Sequence, residues 1–432
     1  MRRNGFVIAA ALCALFASAC TGGGGEPSNQ GSGGSHAPVT ITLQDYYGAS
    51  TPIKSVIKDF EKAYPWITVK YEAVDWDTLH EKFTVQVSSG DAPDIATLDM
   101  TWIPTFASNG LLANLSDISG GQMNGKPITD QYTKGGIDAM SYNGDIVTML
   151  FDFDVYALYY RTDIFKQKNV QVPTTWDEWK AAAAKIAEDT NGDGECDKYC
   201  LEVDGETFHW SQLLYQNGGS ILNADGTQAT FNSADGVQAV DFYKSFIDDG
   251  TGILWGASQG DRQNGIKDGR IGMFTDGPYY MGIMKSGAPE MAGKWGVALA
   301  PYSKQPGSYL GGTGLSIPVN APHPQEAWDF IQFMERPENA TKIFTIAGAA
   351  PGLTAALESP KVDKPDPYFS DQNTLPVFLK AMSTATHFPY VSQWDSIQST
   401  MDTGLETAFL GKASPQDALN SAAQKVDDEL SS

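Results

Sequence analysis

The sequence predicts an α/β chain folded as two lobes. Segments with alternating apolar residues take turns with segments of helical period, which places helices over a largely parallel sheet. The chain beyond residue 38 is too long for one compact core, and a composition 41% hydrophobic and 11% aromatic provides material for two.

The first 38 residues read as targeting. Arg2 and Arg3 precede an apolar run, Phe6 to Ala17, that is too short for a comfortable membrane span. Small residues at Ala17, Ser18 and Ala19 then lead to Cys20. Residues 1–19 resemble a bacterial lipoprotein signal, in which Cys20 becomes the lipidated N-terminus. The alternative is ordinary signal-peptidase cleavage with an incidental Cys20, and Ala17 stands where the lipoprotein motif prefers leucine. Residues 20–38 hold a Gly/Ser-rich tether without apolar pattern. No later stretch is long and apolar enough to span a membrane.

Regular structure begins with Val39-Thr-Ile-Thr-Leu43, an alternating strand. A helix over 52–64 follows, with Ile53, Val56, Ile57 and Phe60 on one face and Pro65 as its stop. A strand over 67–72, a helix over 76–88 and a short strand over 94–98 continue the alternation. Beyond Gly144 the β-branched and aromatic run 145–160 reads as extended strands, and residues 163–165 start a short helix. In Pro173-Thr-Thr-Trp-Asp-Glu-Trp179, Thr175 caps a helix and Glu178 is its box partner. Further helices are expected over 210–217, 234–248, 323–335, 339–346 and 395–410.

Charge narrows the function. With 29 basic against 52 acidic residues and a net charge of −23, nucleic acid is disfavoured, and heavily phosphorylated ligands mildly so. Cys196 and Cys200, four apart in an oxidising compartment, form a local disulfide or remain two free thiols. Asp189-Thr-Asn-Gly-Asp-Gly-Glu-Cys-Asp197 alternates oxygen donors as the first half of an EF-hand loop does. Cys200 stands where the twelfth-position Glu belongs, and Glu202 lies two beyond. Asp189, Asn191, Asp193, Glu195 through its carbonyl, Asp197 and Glu202 are the candidate calcium ligands; a polar turn held by the cysteines is the alternative.

An ordered series of motifs points to a family. It begins with Phe60-Glu-Lys-Ala-Tyr-Pro65, Gly90-Asp-Ala-Pro-Asp-Ile95, Asp99-Met-Thr-Trp102 and Gly110-Leu-Leu112. It continues with Tyr159-Tyr-Arg-Thr-Asp-Ile-Phe165, Pro173-Thr-Thr-Trp176 and Gly218-Gly219. Gly269-Arg-Ile-Gly-Met-Phe274, Asp276-Gly-Pro-Tyr279, Gly311-Gly312 and Glu326-Ala-Trp-Asp-Phe-Ile331 complete it. In this order they resemble the extracellular solute-binding proteins (family 1) of ABC transporters, particularly those for maltose, trehalose and other oligosaccharides. The resemblance implies a two-lobed, type II periplasmic-binding-protein-like fold, with the ligand cleft between lobes joined by crossing strands. Lobe one is placed at 39–150 and 302–360, lobe two at 151–301 and 361–432. Some relatives bind structural calcium through a similar Asp/Asn/Gly loop; no other cofactor is implied. The partners implied are a mono- or oligosaccharide, the permease subunits and, through the lipid, the outer face of the cytoplasmic membrane. A monomer is expected.

A sugar presents C–H faces that pack on aromatic rings and hydroxyls that need acceptors in fixed directions, so a cleft of Trp, Tyr and Asp suits it. In lobe one the resemblance points to Asp45, Tyr46, Tyr47, Asp75, Trp76, Asp99 and Trp102. At the crossing it points to Asp152 and Asp154, two apart and so on one strand face. In lobe two it points to Phe208, Trp210, Trp255, Tyr279 and Trp394. Gly311 and Gly312 would let backbone approach the ligand. These loops contain no Arg or Lys, which favours a neutral ligand over glycerol phosphate or another anion.

The enzymatic reading rests on Gly256-Ala-Ser-Gln-Gly260, which matches the G-x-S-x-G elbow of α/β-hydrolases, with His323 and His387 downstream. The elbow needs a strand before it and a helix behind it, and Gly265 and Gly269 interrupt that helix. The five histidines show no metal-ligand spacing. A binding protein without catalysis is therefore expected, with a secreted serine or glycoside hydrolase as the distant alternative.

Overall fold

The computed structural model describes residues 36–47, 53–255 and 259–431. The signal 1–19, Cys20 and most of the tether lie outside the described residues, as do Gly256, Ala257 and Ser258 of the elbow-like motif. Contacts separate Met1–Ala37 from Pro38–Ser432, and the architecture is that of the second unit.

Two sheets organise it. The first takes β1 (Val39–Asp45), β2 (Ile67–Ala73), β3 (Ile95–Asp99) and β4 (Met149–Val155). The second takes β5 (Ala157–Arg161), β6 (Cys200–Asp204), β7 (Gly252–Trp255), β8 (Ile271–Asp276) and β9 (Trp295–Ala298). The chain then returns to the first with β10 (Ser308–Ser316), β11 (Ala350–Pro351) and β12 (Ala385–His387). Strand order is β11-β4-β10-β3-β1-β2 in the first sheet, with β12 beside β10, and β7-β6-β8-β5-β9 in the second. β1 runs parallel to β2 and β3, and β6 to β7 and β8, the pairing that helical crossovers impose. β10 lies antiparallel to both β3 and β4. Tyr156 alone separates β4 from β5, so the lobes are joined by continuous strand there, and again through the segment between β9 and β10.

Each sheet carries its own core. In lobe one Ile41, Leu43, Phe60, Leu79, Phe83 and Phe330 belong to one buried cluster. In lobe two the strands are covered on both faces: successive residues Leu158 and Tyr159 of β5 fall in different clusters, as a two-residue period requires.

The expected elements form for the expected reasons, with shifted ends. α1 (Lys54–Ala63) buries Val56, Ile57 and Phe60, and Ile53 before it is also buried. α2 (Trp76–Ser89) ends on Gly90 at φ 82, a left-handed cap that needs no Cβ. α3 (Ile103–Ser108) follows the turn after β3. Helix Trp176–Ile186 is capped by Thr175, whose hydroxyl accepts the Glu178 N–H at 3.2 Å. Glu178 accepts in turn from the N–H and hydroxyl of Thr174, at 2.8 and 2.7 Å. α4 (Thr207–Gln216), α5 (Gln259–Asp268) and α6 (Trp394–Phe409) belong to the second lobe. Cys196 and Cys200 are joined as a disulfide at the start of β6. Among the described residues no helix is long and apolar enough to cross a membrane.

Candidate functional site

β10 lies between β3 and β4, so Thr313 stands opposite both Asp99 and Asp152. That register gathers two carboxylates and the turn after β1 at one edge of lobe one. Asp152 accepts the Thr313 N–H at 2.8 Å and the Tyr47 hydroxyl. Tyr46 shares a 2.6 Å hydrogen bond with the Thr313 hydroxyl. One oxygen of Asp99 accepts from Thr101 N–H and hydroxyl, at 2.9 and 2.8 Å; the other accepts the Trp76 indole N–H at 3.2 Å.

These bonds hold an aromatic wall. Tyr47, Tyr46, Trp102 and Trp76 follow one another at centroid spacings of 5.4, 6.0 and 4.7 Å. Trp76 opens α2 and Trp102 directly precedes α3, so both project from helix starts at strand ends. On lobe two, Phe208 in the first turn of α4 lies 6.4 Å from Trp76, with Tyr309 and Phe388 behind it at 5.3 and 5.4 Å. Between the lobes lies a cavity of ≈ 700 Å³, with Trp76, His80 and Trp102 on one side and Asp204, Glu206 and α6 on the other.

Burial dominates the electrostatics. It raises the Asp152 carboxyl to about 7, against the opposing bonds from Tyr47 and Thr313. Asp154 is raised well above the ordinary range by burial first, then by Asp276 and Asp152. Its Oδ1 is buried without a hydrogen-bond partner, and a Cβ built on Gly277 would lie 1.6 Å from it. Glu206 is pushed up to about 8 by burial, then by Asp204 and Asp402. Beneath them Arg262 holds Glu202 at 2.7 Å, Asp204 at 3.1 Å and Asp276. Three carboxylates share one guanidinium, and burial pushes Glu202 up to about 7.

The expected site residues divide. Tyr46, Tyr47, Trp76, Asp99, Trp102 and Asp152 are brought together on the lobe-one wall, and Phe208 faces them. Asp154 lies beside Gly277, near Tyr279 of lobe two. Asp45 is turned inward: it is fully buried and accepts from Thr97 and Tyr71 at 3.1 and 2.7 Å. Asp75 is exposed at the N-cap of α2 and makes no side-chain cap bond. Trp210 is a core residue, fully buried edge-on to Phe231; two residues past Phe208 on α4, it points roughly the opposite way. Trp394 is also fully buried, stacked behind Phe388 at 4.5 Å. Trp255 ends β7, and its side chain lies outside the described residues. The glycines serve strand crossing: a Cβ on Gly312, at φ 143, would meet the Asp152 carbonyl at 2.1 Å, and one on Gly311 the Tyr309 hydroxyl at 1.6 Å.

Sequence reasoning missed His80, Asp204, Glu206, Thr313 and Tyr309. His80 was recoverable, because it lies four residues after Trp76 and so on the same face of α2. Thr313 follows the glycine pair directly.

In the Asp189 loop the oxygens turn back on the chain. Asp189 accepts from Gly192 and Gly194 N–H at 2.6 and 2.8 Å, Asn191 from Asp193 at 2.9 Å, and Asp193 from Glu195 at 2.9 Å. Asp197 accepts from Thr190 N–H and hydroxyl at 3.1 and 2.7 Å. Glu202 does not complete the loop, because β6 buries it against Arg262. Among the described residues no three His, Cys, Asp or Glu side chains converge as a metal cage.

Residues 47–341 match the family model for bacterial extracellular solute-binding protein. A binding protein of Brucella abortus (strain 2308) is 28% identical over 401 residues, covering 90% of this chain and 92% of that one. The fold is shared with the GacH receptor of Streptomyces glaucescens, solved unliganded and with acarbose (TM-score 0.81, 23% identity, 92% and 99% of the two chains). An ABC transporter solute-binding protein of Thermotoga lettingae bound with α-D-tagatose superposes equally well (TM-score 0.81, 26% identity, 91% and 100%).

Proposed function

This chain belongs to the bacterial extracellular solute-binding proteins, and from that premise we propose that it is the carbohydrate receptor of an ABC-type importer. One observation carries the reading: the cavity between the lobes is walled by the Trp76–Trp102 pair, and Asp99 fixes the Trp76 indole. Indole faces pack on the C–H surfaces of a sugar, and nearby carboxylates accept its hydroxyls. The tagatose- and acarbose-bound neighbours, with the same two-lobed fold, support a sugar ligand.

The lobes open and close about the strands that join them, and ligand favours the closed form by touching both walls. The closed receptor delivers its sugar to the permease and catalyses nothing. Lipid on Cys20 and the tether keep it near its partner at high effective concentration. Thermal unfolding of the untethered protein against mono-, di- and trisaccharides and sugar alcohols tests this, with glycerol phosphate and amino acids as controls. A sugar at a hundred times its dissociation constant stabilises by about 2.7 kcal/mol. A shift with one sugar class identifies the cargo; a shift with a control alone overturns the carbohydrate assignment and keeps the fold.

A further inference from the structure

α2 carries His80 one turn beyond Trp76, and its ring packs on Trp102 and Phe106 at centroid distances of 5.0 and 5.2 Å. From that lobe-one seat its Nε2 reaches Asp395 Oδ2 at 3.0 Å, in the first turn of α6 on lobe two. The contact therefore exists only while the lobes are together. The two side chains are 29% and 27% exposed, so the pair is neither buried nor freely solvated.

The charged groups around it are acidic. Asp77 and Glu81 face the cavity from α2, Asp204 and Glu206 from the end of β6, and Asp402 and Glu406 from α6. Asp99 acts on Asp395 from β3. The described lining contains no Lys or Arg; Lys412 pairs with Glu406 at 3.1 Å, at the other end of α6. An imidazolium at position 80 is then the cation on the lobe-one wall, facing carboxylates presented by lobe two. Histidine is also the side chain whose charge ordinarily changes between pH 5 and 8.

We infer that His80 is a positioning residue that makes lobe closure proton-dependent, its charged form latching lobe one to Asp395 of lobe two. Protonated, the pair adds an ion pair to the closed form and nothing to the open one. Neutral, it leaves one ordinary hydrogen bond beside a row of carboxylates. Closure, and with it ligand affinity, is favoured at lower pH. The affinity arm rests on the sugar-receptor reading, whereas the closure arm does not.

The test uses the whole untethered chain at pH 5.5 and 8.0. Small-angle scattering without ligand compares wild type with His80→Gln and Asp395→Asn. The expected result is a wild-type radius of gyration that grows with pH and a smaller change in both variants. Calorimetry with whichever sugar gives the thermal shift should show wild-type affinity weakening across this range about three- to fivefold more than in either variant. The double variant should then match the singles, as members of one pair do. Asp152 and Glu206 also titrate in this range, so the variants isolate the share of His80. Equal pH dependence in wild type and His80→Gln, in both scattering and affinity, overturns the latch. If no sugar binds, the scattering comparison alone decides it, and the failure is that of the ligand reading.

Discussion

Trp76→Ala separates binding from folding at the proposed site. Trp76 is half-buried in the first turn of α2, where it meets Trp102 at 4.7 Å and donates to Asp99 at 3.2 Å. A sugar face covering on the order of 100 Å² of indole contributes about 2.5 kcal/mol at 25 cal/mol per Å². Losing that contact weakens affinity by roughly 50-fold, since 1.4 kcal/mol is a factor of ten. The folding cost is smaller. Ala is the best helix former, and Asp99 keeps its two bonds from Thr101. Titration calorimetry with the sugar chosen by thermal shift, beside urea unfolding of the free protein, reads the two effects separately. Unchanged affinity, or a stability loss as large as that of the core substitution Phe83→Ala, would refute the assignment of Trp76 as a ligand platform.

Three further outcomes are expected. Trp394→Ala, which empties a fully buried position, should cost about 3–5 kcal/mol of stability in denaturant titrations, so an affinity loss at unchanged stability would instead make Trp394 a ligand platform. Glu335, buried with Tyr132 as its bonded neighbour at 2.9 Å, is pushed up by burial to about 8 from an ordinary 4.5. Its contribution is therefore complete below 4.5 and lost as pH rises toward 8, and Glu335→Gln should remove roughly 1–3 kcal/mol of the stability fall between pH 5 and 8 in urea midpoints; an identical slope refutes this. Calcium on Asp189, Asn191, Asp193 and Asp197 lacks the bidentate twelfth-position carboxylate, so thermal stabilisation should need about millimolar calcium, and saturation at micromolar would mean that another donor joins.

The fold was legible because its signals are local and periodic. The Ile53, Val56, Ile57 and Phe60 face could only be a buried helix stripe, and the run from 145 to 160 could only be strand. The place of β12 was not legible, since three residues carry no period and nothing in them says that they pair with β10. Trp76 and Trp102 were legible as cleft residues because they sit where strands give way to helices. Trp210 and Trp394 look the same in sequence, yet one helix turn decides whether an indole meets ligand or core. Glu202 shows the same limit in a strand: loop spacing proposes a ligand, but β6 carries its carboxylate to Arg262. His80 was overlooked for the opposite reason, because no motif contains it and only its partner on the other lobe makes it informative.

The carboxylates of the closed cleft bear on how closure and recognition are linked. Burial holds Asp152 at about 7 and Glu206 at about 8, and Asp154 keeps one oxygen without a bonding partner. Each is costly to enclose as an anion unless something donates to it. The protein supplies part of the need, from Tyr47 and Thr313 to Asp152 and from Arg262 to Asp204 and Asp276. A ligand rich in hydroxyls supplies more, and does so only in the closed form, where both walls are within reach. An apolar ligand of the same size would fill the cavity and leave those acceptors unmet, so it would lack the differential affinity that closure requires. Selectivity for hydroxylated ligands thus follows from the cost of enclosing the acids, while the aromatic wall sets which ring faces fit.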